Sequence, residues 1–565
     1  MAGYESHATP LPPANYYFDL GTFGRTVTTE SPAAQTWFNR GFNWTYAFNH
    51  EEACLCFEQV IAHDPECAMG YWGVAFASGP NYNKTWGAFD EKDLKASWHK
   101  CYYASRRAIQ LSGTATALEK ALIDALQYRF PVDYAPEDLH GPNVAYANAM
   151  RDVYREYKDD LDVVTLFAEA SMDTAPRKMF HQTNGKPIPT SPVFEVKEVL
   201  ERGLLLPGAR THPGVLHMNI HFMEMSATPE AAIPAADDLR DLIPDGGHMY
   251  HMPAHLYVLA GEYRRSVDCN YRATIADDKF YAIRGGKTFY SYYRLHDYHS
   301  LIYAAMLTGQ SQLAIDSCTR MEATITEDLL KHESPPLARF MEFFLAVRVH
   351  VYIRFGMWEE LTKLDIPQDQ DLYCVTTAMR HYGKGIAWGV LENLEEADRE
   401  RDLFRAAAKR VPPSRLDFPN RIVDVLKVAT AMLDGEIEYR RQNYDAAFRS
   451  LREAIVHDDA LLYTEPWGWM LPTRHSFAAL SLEQGNVEDA AQAYAEDLGL
   501  DESITRAHQH PNNVWALHGY HECLIQLGRK AEARIIKKQL TLAMAIADVP
   551  IQSSCFCRLH TCCKS

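Results

Sequence analysis

The chain lacks most of what would take it to a membrane or a polyanion. Across 565 residues no apolar run approaches the ~18–20 residues that span a bilayer. No lysine- or arginine-rich cluster occurs. The 56 basic residues stand against 74 acidic ones, a net charge of −18, whereas nucleic-acid binders gather positive charge on one face. The opening stretch, MAGYESHATPLPPANYYFDL, has neither the basic region nor the apolar core of a secretory signal. A cytoplasmic protein is therefore expected, with its twelve cysteines as thiols rather than a disulfide framework. Familiar catalytic signatures are missing too. There is no Gly-x-Ser-x-Gly elbow and no Gly-x-Gly-x-x-Gly after a strand. Gly79-Pro80-Asn81-Tyr82-Asn83 lacks the Lys-Ser/Thr of a phosphate loop and reads as a turn whose Asn side chains could face a cavity. No alternating strand pattern stands out.

What is present is helix. Residues 1–30 read as an arm rich in Pro, Thr and Ser. From Ser31 onward apolar residues recur at period 3.6 in stretches of 12–18 residues, as in Phe38-x-x-x-Phe42-x-x-x-Tyr46. A turn signature, Gly-x-x-x-x-Ala, links successive stretches at Gly485–Ala490 and Gly528–Ala533. Looser copies lie at Gly309–Ala314 and Gly261–Ser266, and a degenerate one at Asn49–Ala53. Small residues at such points let antiparallel helices approach closely. This is the tetratricopeptide pattern of helix pairs repeating every ~34 residues. It predicts an all-α fold, an α-α superhelix curled around a central cavity, continuous over 31–545. A histidine-rich centre occupies 212–303 and a Cys-rich tail 546–565.

Histidines mark the centre. Six fall between residues 212 and 255, where 24 in 565 would put about two. His217 and His221 stand 34 residues before His251 and His255, so an i, i+4 pair repeats with the repeat. Measured from the turn glycines, His251, His299, His475 and His518 each lie ten residues upstream. His248 and His296 each lie thirteen upstream. Packed helices lie 8–10 Å apart, and metal–imidazole bonds are ~2.0–2.1 Å. Two adjacent helices can therefore present His217, His221, His251 and His255 to one or two ions. Glu224, His248, His296 and His299 are candidates for the same ion or for the shell behind it. The other reading of these residues is a hydrogen-bonded ladder in the core, which is also the expected role of His475 and His518; His212, beside a Pro-Gly turn, stands evenly between the two. Pro253 either opens a helix, leaving His248 and His251 ahead of it, or kinks one between His251 and His255.

The chain resembles a family of bacterial and fungal tetratricopeptide-repeat proteins, most of them uncharacterised. The motifs that carry the resemblance are Phe48-Asn-His-Glu-Glu-Ala53 with Asp64-Pro-Glu-Cys-Ala-Met-Gly-Tyr-Trp-Gly73, and Gly79-Pro-Asn-Tyr-Asn83. His212-Pro-Gly-Val-Leu-His217 with His221 and Glu224, Gly247-His248 through Tyr257, and His296-x-x-His299 follow. A weaker set combines Glu465-Pro466, Pro472-Thr-Arg474 and Tyr494-x-Glu-Asp-Leu498. They run in the family's order over about residues 35–540. The resemblance implies a tetratricopeptide solenoid and leaves metal and reaction open. Arg506-Ala-His-Gln-His510 departs from the family's pattern as an insertion.

These residues predict a metal-dependent enzyme. Its expected chemistry is that of an oxidoreductase or oxygenase acting on a small organic molecule, such as a secondary metabolite. Iron or copper is preferred over zinc. Arg474 and Tyr257 are candidates for substrate contact, Arg474 for an anionic group; no catalytic acid or base can be named. Two alternatives stay open: a metal-assisted hydrolase or isomerase, and a non-enzymatic scaffold that binds a peptide or protein partner. The tail, Cys555-x-Cys557 with His560, Cys562 and Cys563, reads either as a soft-metal or redox site or as a mobile, oxidation-prone end.

Overall fold

A computed structural model describes residues 4–558. The last two tail cysteines, Cys562 and Cys563, and His560 lie outside the described residues. The fold is all-α and built from antiparallel helix pairs of the tetratricopeptide type. Extended pairing among the described residues is confined to two isolated bridges and one small hairpin. The hairpin pairs Leu416–Asp417 with Asn420–Arg421, in the register Leu416↔Arg421 and Asp417↔Asn420. No described helix is long and apolar enough to cross a membrane.

The chain divides into two compact units. The first comprises Met1–His181, Gly185–Leu256 and Arg272–Arg294. The second comprises Gln182–Asn184, Tyr257–Tyr271 and Leu295–Ser565.

In the second unit four of the helix pairs are Cys374–Val390 with Leu394–Ala408, Ile422–Arg440 with Tyr444–Asp459, Thr473–Glu483 with Val487–Asp497, and Val514–Gln526 with Lys530–Met544. Each pair turns on one residue in the left-handed region. At Gly485 and Gly528 φ is +78° and +71°, and a Cβ there would meet nothing within 4 Å. The glycine thus answers the backbone dihedral rather than crowding. The first two pairs were not visible as turns in the sequence, because the same position holds Glu392 (φ 61°) and Gln442 (φ 63°). Five residues beyond each turn residue sits a buried alanine: Ala397, Ala447, Ala490 and Ala533.

The first unit repeats this device once, with a different residue. Helices Pro32–Tyr46 and His50–His63 turn at Phe48, φ 53°, and Ala53 is the buried alanine five residues on. The turn copy marked by Asn49 in the sequence therefore begins one residue earlier. Ser31 caps the first helix by accepting from Ala34 N (3.2 Å), with Pro32 at its first position. Asn49 caps the second by accepting from Glu52 N (3.2 Å). The N-terminal arm is almost entirely non-helical and lies against this unit. Leu11 N donates to Gln59 (2.7 Å), Arg25 bridges Asp160 and Asp162, and Thr28 donates to Glu119 from both its backbone and its hydroxyl.

Candidate metal centre

The first histidine pair stands on the helix Pro213–Met223, and the sequence His212-Pro-Gly-Val-Leu-His217 explains its placement. His212 caps the helix: its Nδ1 accepts from Val215 N (3.2 Å), which leaves Nε2–H to donate to Asp162 Oδ1 (2.9 Å). Pro213 occupies the first helical position, where its missing N–H costs nothing. Gly214 permits a close approach, because a Cβ there would lie 2.7 Å from the Tyr46 ring. That approach brings the Tyr46 carbonyl to His217, which donates to it from Nδ1 (2.7 Å). A carbonyl only accepts, so the His217 lone pair is on Nε2.

The second set stands on the helix Gly247–Leu259, of which residues 247–256 belong to this unit. Pro253 lies inside the helix. It withholds one donor from Met249 O, yet the helix begins at Gly247, so His248 and His251 are within it. Glu224 ties the two helices together. One carboxylate oxygen accepts from His221 Nδ1 (3.2 Å), the other from His255 Nδ1 (2.5 Å). Both rings are thereby turned to present Nε2 elsewhere. This is the carboxylate–histidine arrangement that orients metal ligands from behind. His251 Nε2 and His255 Nε2 lie 2.7 Å apart. Two such nitrogens share a proton or an ion; cis ligands on one ion with ~2.1 Å bonds would stand about 3 Å apart.

A ring nitrogen each of His217, His221 and His248 lie within 4.8 Å of one another, and so do donor atoms of His221, Glu224 and His255. All five of these side chains, and His251 with them, are buried, none more than 4 % exposed. Burial and the neighbouring imidazoles push His217 and His248 well below the usual histidine range, so both are neutral, the form that binds a metal. His217 Nε2 and both nitrogens of His248 are buried with no hydrogen-bond partner among the described residues. Each such nitrogen costs about 1–3 kcal/mol.

Aromatic rings close the cluster, and the sequence reading did not assign them to it. Phe48 packs against His217, His221 and His248, with ring centroids at 4.5, 5.7 and 5.5 Å. Tyr82 lies 5.1 Å from His221 and Tyr293 4.9 Å from His248. Phe48 and Tyr82 belong to the two motifs at 48–53 and 79–83; those motifs were the available signal. Asn81 of the second motif folds its own loop instead, accepting from Asn83 N (3.0 Å) and Lys84 N (2.7 Å).

No family model matches the chain, and no curated protein matches it. Among solved structures it is similar to Ypp1, at 9% identity over 93% of this chain and 82% of that one, with a TM-score of 0.41. It is also similar to the human IFIT1 dimer with m7Gppp-AAAA (11% identity, 92% and 91%, TM-score 0.31). A third is the APC/C hetero-tetramer Cut9-Hcn1 (11% identity, 90% and 76%, TM-score 0.30). At these scores the site has to be argued from its own geometry.

The remaining expected site residues lie in the second unit. His299, 3 % exposed, has Nε2 3.0 Å from Met470 Sδ, and burial lowers its pKa to about 3. His296 is half-buried. Arg474 departs from its expected role: Asp459 takes its guanidinium through two bonds (2.6 and 2.8 Å) and Glu496 through a third (2.9 Å). Its charge is matched within the protein, which leaves none for an anionic substrate. Tyr257 is fully buried, its hydroxyl accepting from Arg265 (2.8 Å).

His475 is a core residue, as expected. Its Nδ1 accepts from Arg354 (3.0 Å) and its Nε2–H donates to Asp497 (2.9 Å). His212, which stood evenly between the two readings, is likewise bonded at both nitrogens. The inserted segment supplies His510, which donates to the other oxygen of Asp497 (2.7 Å).

The described tail is packed rather than loose. Arg354 donates to Ser554 O (2.8 Å), and Cys555 and Cys557, both buried, are joined in a disulfide beside Glu436. The eight cysteines from Cys54 to Cys523 are buried thiols, as expected of them; Cys555 and Cys557, joined in a disulfide, depart from that expectation.

Proposed function

We propose that the protein is a metal-dependent enzyme, an oxidoreductase or oxygenase acting on a small organic molecule. The ion would be held by His217, His221 and His248, with His251 and His255 alongside and Glu224 positioning the rings of His221 and His255. The observation that carries this reading is the surplus of neutral, buried ring nitrogens on His217 and His248, close to one another and matched by no donor or acceptor among the described residues. A cluster left so at the centre of a helical core is what a transition metal would stabilise.

Because both oxygens of Glu224 are already engaged by imidazoles, the donors on offer are nitrogens. That set favours copper over a two-histidine, one-carboxylate iron site. A redox-active ion bound there would supply one-electron and dioxygen chemistry. The chain's own part is to keep the imidazoles neutral, to fix their orientation through Tyr46 O and Glu224, and to hold water away behind Phe48, Tyr82 and Tyr293.

Elemental analysis after loading with copper, iron and zinc tests the proposal. The wild-type protein should retain stoichiometric metal, and the paired substitution His217→Ala with His221→Ala should lose it. Substoichiometric metal in the wild type under all three loadings would sink the reading and leave the scaffold alternative. Full retention by the double variant would move the metal elsewhere.

A further inference from the structure

A cavity of about 280 Å³ lies in the first unit, between the start of helix His50–His63, the loop 79–84 and residues 289–293. Two of its lining rings belong to the histidine cluster as well: Phe48 packs on three of the imidazoles and Tyr293 on His248. Cavity and cluster therefore share a wall.

The chemistry of the lining is lopsided. Glu51 is exposed by surface area, yet protein surrounds it closely enough for desolvation to raise its pKa. Glu51 is one of the residues that line the cavity. Its carboxylate accepts from Phe289 N (3.2 Å); the positive charge that acts on it, Lys84, makes its ion pair with Asp93 instead. The two lysines on the lining are already committed, Lys84 to Asp93 (3.1 Å) and Lys100 to Glu58 (2.7 Å).

Next to Glu51 stands His50, 8 % exposed, with no partner in hydrogen-bond geometry at either nitrogen. Burial holds it neutral, with a pKa of about 3, and both nitrogens are closed off from the cavity, so it adds no charge that would compete with Glu51. Around Glu51 are the rings of Phe48, Phe89 and Phe289. One turn along the helix is Leu55, apolar and 48 % exposed although it lines the cavity.

We propose that this cavity is the substrate site and that its ligand is a small primary amine with an aromatic or aliphatic body, the ammonium held by Glu51. A carboxylate with no ion pair of its own, beside the Phe48 ring, complements a cation through both its charge and the ring quadrupole; the Phe89 and Phe289 rings already carry the Lys84 ammonium, at 4.0 and 4.9 Å. A neutral or anionic ligand of the same shape would leave Glu51 unmatched. That the bound amine is a substrate rests on the metal-centre reading above; that the cavity binds amines does not.

Calorimetric titration of metal-free and metal-loaded protein with 2-phenylethylamine, 2-phenylethanol and 3-phenylpropionate tests the assignment. The amine should bind at least about tenfold more tightly than either isostere, and Glu51→Gln should abolish that preference, as loss of a charge-assisted bond does. Leu55→Trp, which fills the cavity, should block all three probes.

Equal binding of the three probes would overturn the proposal. So would tighter binding of the acid, which would assign the cavity to Lys84 and Lys100, or amine binding indifferent to Leu55→Trp. Absence of saturable binding by any probe up to about 10 mM would overturn it too. The two readings fail separately. Glu51→Gln should keep metal while losing amine selectivity. The double variant at His217 and His221 should lose metal while keeping amine binding.

Discussion

Each unit buries a cluster in which one carboxylate serves two imidazoles, and the two clusters differ in what remains unmatched. In the second unit Asp497 lies between His475 and His510, with Asn513 donating to the same oxygen as His475 (2.9 Å). His475 is bonded at both nitrogens and His510 leaves only Nε2 without a hydrogen-bond partner among the described residues, and the donors facing Asp497 hold its carboxyl far below the usual range, against the desolvation that would raise it. In the first unit Glu224 serves His221 and His255, but three further imidazoles crowd the same space, and His217 and His248 carry three nitrogens that nothing among the described residues matches. A single unmatched nitrogen, as on His510, is what a core histidine can carry; three on two neighbouring imidazoles, His217 and His248, are the observation on which the metal proposal rests. The difference lies in partner accounting, because burial is the same in both.

The largest effect should come from removing each carboxylate in turn. Asp497→Ala strips the partner from two imidazoles and leaves Arg354 beside an unsatisfied His475. It should destabilise the protein by about 3–5 kcal/mol in denaturant titrations, as breaking a buried charged network does, with metal content unchanged. Glu224→Gln should show its main effect in metal affinity, weakened about 10- to 100-fold as for other groups that orient ligands from behind. If Asp497→Ala depleted metal and Glu224→Gln did not, the roles of the two clusters would be reversed.

Acid should act next. His50, His299 and His350 are buried with pKa values lowered to about 3, chiefly by desolvation, against about 6.5 when unfolded. The unfolded chain therefore binds more protons between pH 6.5 and about 3. The stability these residues contribute is fully present above pH 6.5 and is lost as pH falls through that window. Each should cost about 2 kcal/mol by pH 5. Denaturation midpoints followed from pH 7 to pH 5 check this, and a flat profile would contradict it.

Much of this was legible in the sequence, and the parts that were not have physical reasons. Period 3.6 exposed the helices, and the 34-residue spacing placed His217, His221, His251 and His255 in register on two helices that do meet. Glu224 could be picked as the nearby carboxylate, but not as a bridge whose two oxygens are both engaged by imidazoles, since that depends on side-chain direction. Phe48, Tyr82 and Tyr293 come from three distant segments, so no spacing rule joins them to the histidines. Arg474 looked available because the sequence does not show that Asp459 and Glu496 reach it. The helix pairs turning at Glu392 and Gln442 escaped a search keyed on glycine, because the left-handed turn there is made by residues that only tolerate it.

Those turns allow the smallest and sharpest comparison between the units. A non-glycine residue in the left-handed region costs roughly 1 kcal/mol. Glu392→Gly should recover up to about that much, less what glycine adds to the disorder of the unfolded chain. The check is a higher denaturant midpoint at unchanged slope. Glu392 is exposed, so nothing is lost beyond the turn itself. Phe48 occupies the same position in the first unit, and Phe48→Gly relieves the same dihedral. Its ring, however, is 3 % exposed and packs on three imidazoles, so the exchange should destabilise the protein and admit water to the histidines. Opposite signs at two equivalent turns would show that the strain at Phe48 is retained for its ring. Equal gains at both would reduce Phe48 to an ordinary turn residue and remove the wall that cavity and cluster share.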